Sequence, residues 1–315
     1  MAKYRSSLPQ LKGGAFLNDG GMETTLIFHE GAVLPLFASF VLLDTPQGRR
    51  QIKDYYRRYL DIALAGKAGI VLDTATWRAN PDWAAKLGYG PSALNRFNKD
   101  AVAVLAELRA EYETPASPIV ISGQIGPRGD GYKAGGMSAA AAEAYHAQQI
   151  ASFVESEADM VGAYTMNTVE EAIGVAKAAK AAAMPCVISF TVETDGRLAT
   201  GMPLAEAITR TEEATDASPA YYMINCAHPT HFASALKTNA AWLHRIGGVK
   251  ANASTKSHAE LDESTDLDAG DPHDLALRYR AFRPMLPKAN VLGGCCGTDH
   301  RHVAAICEAV LPIAA

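Results

Sequence analysis

The residues with the clearest chemical potential are two adjacent cysteines near the C-terminus, in Val291-Leu292-Gly293-Gly294-Cys295-Cys296-Gly297-Thr298. Glycines on both sides let the backbone turn so that both thiols face one point. A third cysteine, Cys226, ends another apolar run, Tyr221-Tyr222-Met223-Ile224-Asn225-Cys226. Zinc prefers soft sulfur ligands, and a catalytic zinc takes three protein ligands and keeps one position open. We therefore predict that Cys226, Cys295 and Cys296 bind Zn²⁺, which activates a substrate thiol.

Other roles for these cysteines stay open at this point. Cys295 and Cys296 could be buried core thiols or a redox pair, and Cys226 alone would suggest a buried thiol. His228 and His231 follow Cys226 closely and offer a rival ligand set, although Pro229 between them favours capping and surface roles. The remaining cysteines, Cys186 at the start of a strand and Cys307 within an apolar helix, are expected to be structural.

Composition excludes several classes of protein. The chain has 315 residues, 48% of them hydrophobic, so a sizeable core is expected and disorder is not. The formal net charge of −5 provides no electrostatic basis for binding nucleic acid or an anionic membrane. No apolar run approaches the length of a membrane span. Five cysteines in a chain this long do not form a disulfide scaffold, and clustered cysteines in a reducing cytosol favour metal binding or reactivity.

The N-terminal residues Met1 to Lys12 are polar and basic and lack the apolar core of a signal peptide, so a cytoplasmic protein is expected. The sequence does not indicate an oligomeric state. The expected partners are small molecules, with no nucleic acid and no membrane.

Short apolar runs alternate with helical patterns along the chain. The predicted strands are Phe16 to Leu17, Ile70 to Thr74, Ile119 to Gly123, Asp159 to Tyr164, Cys186 to Phe190, Tyr221 to Cys226, Ile246 to Ala251 and one starting at Val291. The predicted helices are Arg49 to Ala65, Asn98 to Tyr112, Ser138 to Glu155, Thr168 to Ala182, Leu204 to Thr215, His231 to Leu243, Asp271 to Arg283 and His300 to Val310.

About eight strand–helix units predict the α/β class and a single (β/α)₈ TIM barrel over residues 1–315. An open doubly wound sheet is the alternative, but the Gly-x-Gly-x-x-Gly fingerprint after the first strand is absent. The longest irregular stretch, Asn252 to Gly270, is rich in Ser, Thr and Asp. It is longer than an ordinary connection, which suggests a functional loop or lid, although its acids are equally consistent with a solvated surface.

In such a barrel the chemistry is at the C-terminal ends of the strands. The candidate residues follow the predicted strands at these ends: Asp19, Asp73-Thr74, Gly123-Gln124, Tyr164, Asn225-Cys226, Ala251-Asn252 and Cys295-Cys296. This agreement comes from the strand pattern alone and supports a common site.

The chain also resembles the homocysteine S-methyltransferase family, which includes betaine-dependent and S-methylmethionine-dependent enzymes. The resemblance lies, in the family's order, in Asp19-Gly20-Gly21-Met22, Gly126-Pro127, Ile188-Ser189-Phe190 with Asp195-Gly196, Ile224-Asn225-Cys226, and Gly293-Gly294-Cys295-Cys296-Gly297-Thr298. The last motif is highly specific. The resemblance implies a (β/α)₈ barrel with zinc on Cys226, Cys295 and Cys296, homocysteine sulfur as the fourth ligand, and Asp19 with Gly20 and Gly21 seating the amino acid.

The chain departs from the family at one substrate contact. Family members commonly carry a glutamate that helps bind the substrate's ammonium group, whereas this chain has Tyr164 in Tyr164-Thr165-Met166-Asn167. The family's Gly-Thr-Glu after the first motif is Glu23-Thr24-Thr25 here. The acceptor is therefore either homocysteine held differently or another small thiol.

The remaining substrate-binding candidates each have a structural alternative. Asp19 could cap the turn at Gly20-Gly21. Trp77 could bind a methyl-onium cation through its ring or pack within its loop. Tyr164 could donate to a substrate carboxylate or line the pocket, and Asn225 could orient a ligand. Gly294, beside Cys295, completes the set of candidates.

These residues predict a zinc-dependent methyltransferase that moves a methyl group from a sulfonium or betaine-type donor to a thiol. The thiol expected first is homocysteine, giving methionine in methionine biosynthesis; another small thiol is the alternative. No separate general base is predicted, because zinc deprotonates a coordinated thiol. No segment is left for a folate or cobalamin module, so we expect a free small-molecule donor. A metal-dependent hydrolase would need histidine and carboxylate ligands with an open water site, and a structural zinc would need a fourth protein ligand.

Overall fold

The computed structural model describes residues 1–238 and 240–311. Eight parallel strands form a closed barrel in chain order, and the first strand pairs with the last. The strands are β1 (Phe16–Leu17), β2 (Gly69–Asp73), β3 (Ile119–Ile125), β4 (Met160–Met166), β5 (Cys186–Phe190), β6 (Tyr221–Asn225), β7 (Ile246–Ala251) and β8 (Val291–Gly294). The predicted (β/α)₈ barrel is confirmed, and the open doubly wound alternative is wrong.

Helices cover the outside of this barrel. They are α1 (Met22–Thr24), α2 (Pro46–Ala65), α3 (Pro81–Lys86), α4 (Pro91–Tyr112), α5 (Ala139–Val154), α6 (Val169–Ala181), α7 (Leu204–Thr215), α8 (Pro229–Phe232), α9 (His258–Asp262), α10 (Pro272–Phe282) and α11 (His300–Val310). Short 3-10 turns span Pro9–Lys12, Pro35–Phe37, Ser39–Asp44, Ala241–Arg245 and Arg283–Met285, and a π turn spans Thr25–His29. Across residues 1–238 and 240–311, none of the helices is both apolar enough and long enough to cross a bilayer.

Most predicted helices agree with the structure within a few residues, and Ser138 caps α5 by accepting a hydrogen bond from Ala141 N, as expected. The predicted helix His231 to Leu243 is wrong. Helix α8 ends at Phe232, turns follow, and a 3-10 turn begins at Ala241. The apolar residues of this segment are buried on separate short elements: Phe232 in α8, Leu236 in the turns that follow, and Leu243 in the 3-10 turn. Position 239, within the predicted helix, lies outside the described residues, as do residues 312–315 at the end of the predicted domain.

Two buried clusters explain why the strands are apolar on both faces. The larger cluster fills the layer between the barrel and its helices. The smaller one fills the barrel interior with Phe16, Val71, Val120, Met160, Tyr164, Val187, Tyr221, Met223 and Val291, and Leu8 closes its lower end. A parallel barrel covered by helices buries both strand faces in this way. The interior is therefore packed, and open space is left only at the C-terminal ends of the strands.

The stretch Asn252 to Gly270 follows β7 and contains α9, which the sequence did not predict. Ser257 begins this helix with a capping box, in which its side chain and that of Glu260 satisfy each other's backbone N–H groups. The stretch thus has secondary structure of its own, and it lies over the C-terminal end of the barrel.

Candidate metal centre and substrate pocket

The three cysteines predicted as metal ligands converge at the C-terminal end of the barrel. Cys226 follows β6, and Cys295 and Cys296 follow β8. The Sγ atom of Cys226 lies 2.8 Å from that of Cys295 and 3.6 Å from that of Cys296. All three thiols are free, and Cys226 is only 4% exposed. In the described part of the chain, they form the only group of three or more Cys, His, Asp or Glu ligand atoms within 4.8 Å of one another.

Backbone hydrogen bonds to β7 hold both cysteine segments in place. Cys226 N donates to Lys250 O at 3.1 Å, and Cys295 N donates to Ala251 O at 2.8 Å. Cys226 has a φ of +54°, in the left-handed region that non-glycine residues rarely adopt. Such strain persists only where the surroundings enforce it, and it is common at functional sites. Here it turns the Cys226 thiol toward the vicinal pair.

Glycines bring the first strand segment against the cysteine turn. A Cβ atom on Gly294 would collide with the Thr298 hydroxyl, and one on Gly21 would lie 2.6 Å from the carbonyl oxygen of Cys295. The backbone bond from Gly294 N to Asp19 O, at 2.8 Å, links the two segments. The structure therefore gives Gly21 and Gly294 a packing role beside the cysteines. Their predicted substrate contacts stay predictions.

Asn225 ties the cysteine cluster to two other strands. Its Oδ1 accepts from Thr165 N at 2.9 Å and from the Ser189 hydroxyl at 2.7 Å. Its Nδ2 donates to Thr165 Oγ1 at 2.9 Å and faces Cys295 Sγ at 3.9 Å. Residues behind a metal ligand orient it and tune its affinity. This arrangement supports the predicted orienting role of Asn225, toward a cysteine ligand.

A second support lies on the loop side of Cys226. His258 Nε2 lies 2.6 Å from the Cys226 carbonyl oxygen, and its Nδ1 lies 2.9 Å from Glu193 Oε1. The His258 ring stacks on Tyr132 with centroids 4.0 Å apart. The Tyr132 hydroxyl in turn lies 3.5 Å from Cys226 Sγ and 3.6 Å from Cys296 Sγ. The loop carrying α9 is thus connected directly to the cysteine cluster.

The chemistry of the three sulfurs fits a zinc ion. Tetrahedral coordination with Zn–S bonds of about 2.3 Å places sulfurs about 3.8 Å apart. The Cys226–Cys296 distance is close to that value, and the Cys226–Cys295 pair would have to open by about 1 Å. Hydrogen bonds from the other two thiols lower the pKa of Cys295. The contact with Cys295 raises the pKa of Cys226, and the contacts with Cys226 and Cys295 raise the pKa of Cys296. A divalent cation at this point would favour the thiolate form of all three.

The histidines of the rival ligand set lie elsewhere. His228 caps α8 and has its Nδ1 2.8 Å from the Thr230 hydroxyl, while His231 Nε2 lies 2.9 Å from Thr255 O. Cys186 is buried in β5 and Cys307 in α11, and neither belongs to the cluster. His228 therefore has the capping role that the sequence favoured.

A cavity of about 400 Å³ opens beside the three cysteines. This is large enough for two small molecules, since ligand pockets typically span about 300–1,000 Å³. Of the predicted substrate-binding residues, Trp77, Tyr164 and Asn225 line it, whereas Asp19, Gly20, Gly21 and Gly294 do not. The stretch 252–270 contributes Ser254, Leu261, Asp262, Ser264, Asp266, Leu267 and Asp268 to its wall.

Trp77 and Tyr164 both combine packing with a place on the cavity wall. The Trp77 ring packs over Gly131, and its Nε1 lies 3.4 Å from Tyr164 O. Tyr164 is only 2% exposed, and its hydroxyl lies 3.9 Å from Met223 Sδ in the barrel interior. The predicted hydrogen bond from Tyr164 to a substrate carboxylate would therefore require its hydroxyl to move.

A buried charge cluster forms the floor beside Cys295. Lys250 Nζ lies 2.6 Å from Asp19 Oδ1 and 3.2 Å from Asp73 Oδ2. Burial raises the pKa of Asp19 to about 6, against the opposite effect of Lys250. Burial also works against the charge of Lys250, but the two carboxylates raise its pKa above the usual value. Lys250 lines the cavity, and Asp19 and Asp73 lie behind it.

Sequence reasoning missed four residues of this site: Arg78, Tyr132, Lys250 and His258. Lys250 carried a visible signal, because a charged residue inside an otherwise apolar strand needs a buried partner. Arg78 and Tyr132 lie on loops and His258 begins the short helix α9, all without a sequence motif, so only the fold shows that they lie close to the cysteines.

Comparisons with known proteins agree with this geometry. The model of the homocysteine S-methyltransferase family matches residues 16–310. The oxidized form of the homocysteine methyltransferase MmuM from Escherichia coli has a TM-score of 0.75 at 21% identity, covering 96% of this chain and 99% of that chain. Its metallated form has a TM-score of 0.72 at 20% identity, covering 97% and 99%. At these identities the likeness shows a shared fold. No curated protein sequence matches significantly.

Proposed function

The chain belongs to the homocysteine S-methyltransferase family and is a methyltransferase, and from this premise we propose that it transfers a methyl group from a small cationic donor to a thiol with the help of zinc. The observation that carries the proposal is the convergence of Cys226, Cys295 and Cys296 at one side of a cavity. Homocysteine, which gives the family its name, is the reference acceptor and would yield methionine. We propose that the barrel acts as one catalytic unit.

Cys226, Cys295 and Cys296 would hold the metal, and their open side would face the cavity. When bound, zinc would supply a Lewis acid that keeps the acceptor sulfur ionised near neutral pH. Asn225 and His258 would fix the directions of Cys295 and Cys226 through the contacts described above. The thiol proton leaves to solvent, so no side chain has to act as a base.

The transfer itself is a single displacement. The acceptor sulfur forms a bond to the methyl carbon while the bond from that carbon to the donor's sulfur or nitrogen breaks, and the bond's electron pair stays on the donor. The donor thereby loses its positive charge, and the acceptor becomes a neutral thioether. The residues of the chain contribute by aligning the two molecules, a contribution that can supply a large part of the rate enhancement.

Charge and aromatic side chains both favour a cationic donor. Three cysteinates and a substrate thiolate around Zn²⁺ carry a net charge of roughly −2. The half-buried Asp130 and Asp268 and the exposed Asp262 and Asp266 line the outer wall of the cavity. Phe28, Phe37 and Trp77 line the same space, and aromatic rings bind methylated onium groups through cation–π attraction. A sulfonium or a betaine has the matching charge and size.

The test combines metal analysis with a transfer assay. The Cys296→Ser variant is expected to lose most of its zinc and its methyl transfer, because zinc prefers thiolate over a hydroxyl ligand. The matched control is Cys307→Ala, which alters a cysteine outside the cluster and should retain zinc at wild-type stoichiometry.

Transfer is measured by mass spectrometry of the methylated thiol, with S-methylmethionine, S-adenosylmethionine and glycine betaine each offered as donor. Unchanged zinc in Cys296→Ser contradicts the proposed ligand set. Wild-type protein that is fully loaded with zinc and methylates no thiol from any of these donors contradicts the proposed reaction.

A further inference from the structure

The floor of the cavity presents an ammonium group where the ammonium of an amino acid acceptor would need a free carboxylate. Lys250 is 4% exposed, and its Nζ contacts Asp19 and Asp73 while lying 5.0 Å from the centre of the Tyr164 ring. It is the only member of this ion cluster that lines the cavity. A substrate at this floor therefore meets the ammonium group of Lys250 before it meets either carboxylate.

Both carboxylates behind Lys250 already accept from it, and Asp73 Oδ1, which has no partner among the described residues, belongs to a residue that does not line the cavity. Asp19 Oδ1 accepts from Lys250, and its Oδ2 accepts from the Tyr55 hydroxyl at 3.1 Å. Asp73 Oδ2 accepts from Lys250 and, at 3.0 Å, from Asn18 Nδ2. The ammonium group of a substrate would have to displace the ammonium group of Lys250, whose backbone is fixed in β7.

The position of Lys250 makes this charge unavoidable for a short thiol. Its carbonyl oxygen accepts from Cys226 N, and in the β6–β7 pairing it lies opposite Asn225, the residue that faces Cys295. Homocysteine has only a short chain between its sulfur and its ammonium group. With the sulfur at the cysteine cluster, the ammonium of homocysteine therefore stays close to the strand ends at which Asn225 and Lys250 lie opposite each other.

A second cation lines the same cavity. Arg78 donates to the Leu36 carbonyl oxygen and lies over the Trp83 ring at 4.1 Å, and it forms no salt bridge with a carboxylate among the described residues. Glu23, the carboxylate whose charge acts most on Arg78, accepts from the Ser39 hydroxyl at 2.7 Å. A substrate carboxylate would find a favourable partner in Arg78, whose planar guanidinium suits such groups.

We propose that Lys250 selects an acceptor thiol that has no ammonium group, of the mercaptoalkanoate class, because the ammonium of Lys250 takes the place beside Asp19 that the acceptor's ammonium would otherwise fill. This inference rests on the proposed function and specifies the substrate of that same site. Lys250 is thus a specificity-determining residue, and the methyl transfer step is unchanged.

The test compares homocysteine with 4-mercaptobutyrate, which is the same molecule without its ammonium group. With zinc-loaded wild-type protein and an active donor, kcat/KM for 4-mercaptobutyrate should exceed that for homocysteine by about tenfold or more, because the ammonium of homocysteine has to displace Lys250 from Asp19 or remain without a carboxylate partner. Calorimetry without a donor should give a lower Kd for 4-mercaptobutyrate than for homocysteine. A higher kcat/KM for homocysteine overturns the inference and leaves the proposed function intact, whereas transfer to neither thiol contradicts the proposed function.

Variants of Lys250 test whether this residue causes the preference for 4-mercaptobutyrate over homocysteine. Lys250→Met removes the ammonium at similar side-chain length, so the ratio should shift about tenfold or more toward homocysteine, whereas Lys250→Arg should keep the wild-type preference. Lys288→Met, which alters an exposed lysine at the opposite end of the barrel, is the matched control and should leave the ratio unchanged. Because Lys250→Met leaves two buried carboxylates without a cation, Lys250→Met with Asp73→Asn provides a second version that keeps Asp19 for the substrate. An unchanged ratio in either folded variant overturns the role of Lys250.

Discussion

Asn225 offers a quantitative test of how the barrel supports the cysteine cluster. Its side chain is fully buried and forms three hydrogen bonds of 2.7 to 2.9 Å, two to Thr165 and one to Ser189. Asn225→Ala would leave Thr165 N without a partner, and a buried donor left unsatisfied costs about 1–3 kcal/mol. The other two bonds contribute about 1 kcal/mol each. We expect the free energy of unfolding to fall by about 3–5 kcal/mol in total.

The matched control is Ser189→Ala, which removes one of these bonds and keeps Asn225 in place, at a cost of about 1 kcal/mol. Urea unfolding followed by tryptophan fluorescence, on metal-free reduced protein, measures both variants without a contribution from zinc binding. A competition assay with a chelator should then show about 10–100-fold weaker zinc binding for Asn225→Ala, because residues behind the ligands orient them. If Asn225→Ala costs no more than Ser189→Ala, the bond to Thr165 N does not hold the site as argued.

Two further predictions concern the segments around the cysteines. Gly294→Ala should lower the free energy of unfolding by about 1–3 kcal/mol and reduce zinc content, because its Cβ would collide with Thr298; Gly135→Ala, which has open space around it, should do neither, and equal effects in the two variants would contradict the packing argument. The folded-state pKa of Asp19 lies above its unfolded value, so its contribution to stability is greatest below about pH 4 and declines as pH rises through 6. The difference in unfolding free energy between wild type and Asp19→Asn should therefore fall between pH 4 and 7, and a constant difference would refute the burial of this carboxyl.

The barrel could be predicted from sequence because its strands carry a local signal. Runs such as Cys186 to Phe190 are apolar on both faces and are separated by helical patterns, and this combination fits few folds. The region after β6 had no such signal. Its buried apolar residues lie on a short helix, on turns and on a 3-10 turn in succession, so their spacing does not require the continuous helix expected from His231 to Leu243.

The cysteine cluster could be predicted from the sequence, whereas the charge cluster around Lys250 could not. Cys295 and Cys296 are adjacent, and the chemistry of a vicinal thiol pair suggests a metal before any fold is known. Lys250 and Asp19 are 231 positions apart, and their contact depends on where β7 and β1 end and on the register of β7 against β6, which shifts between Tyr222 and Met223. The sequence shows that Lys250 is a charged residue in an apolar strand, but it does not indicate which acidic residues are its partners.

This difference has a consequence for how function is assigned within such a barrel. In the proposed function, the cysteines and the groups that orient them would activate the thiol, whereas a lysine on a neighbouring strand would distinguish one thiol from another. A substitution of Lys250 removes none of the three cysteines and alters the charge that the acceptor meets. Since specificity is a difference between affinities, one buried ammonium is enough to reverse it without changing the reaction. The cysteine motif therefore predicts the chemistry, and the acceptor has to be inferred from the charge at the cavity floor.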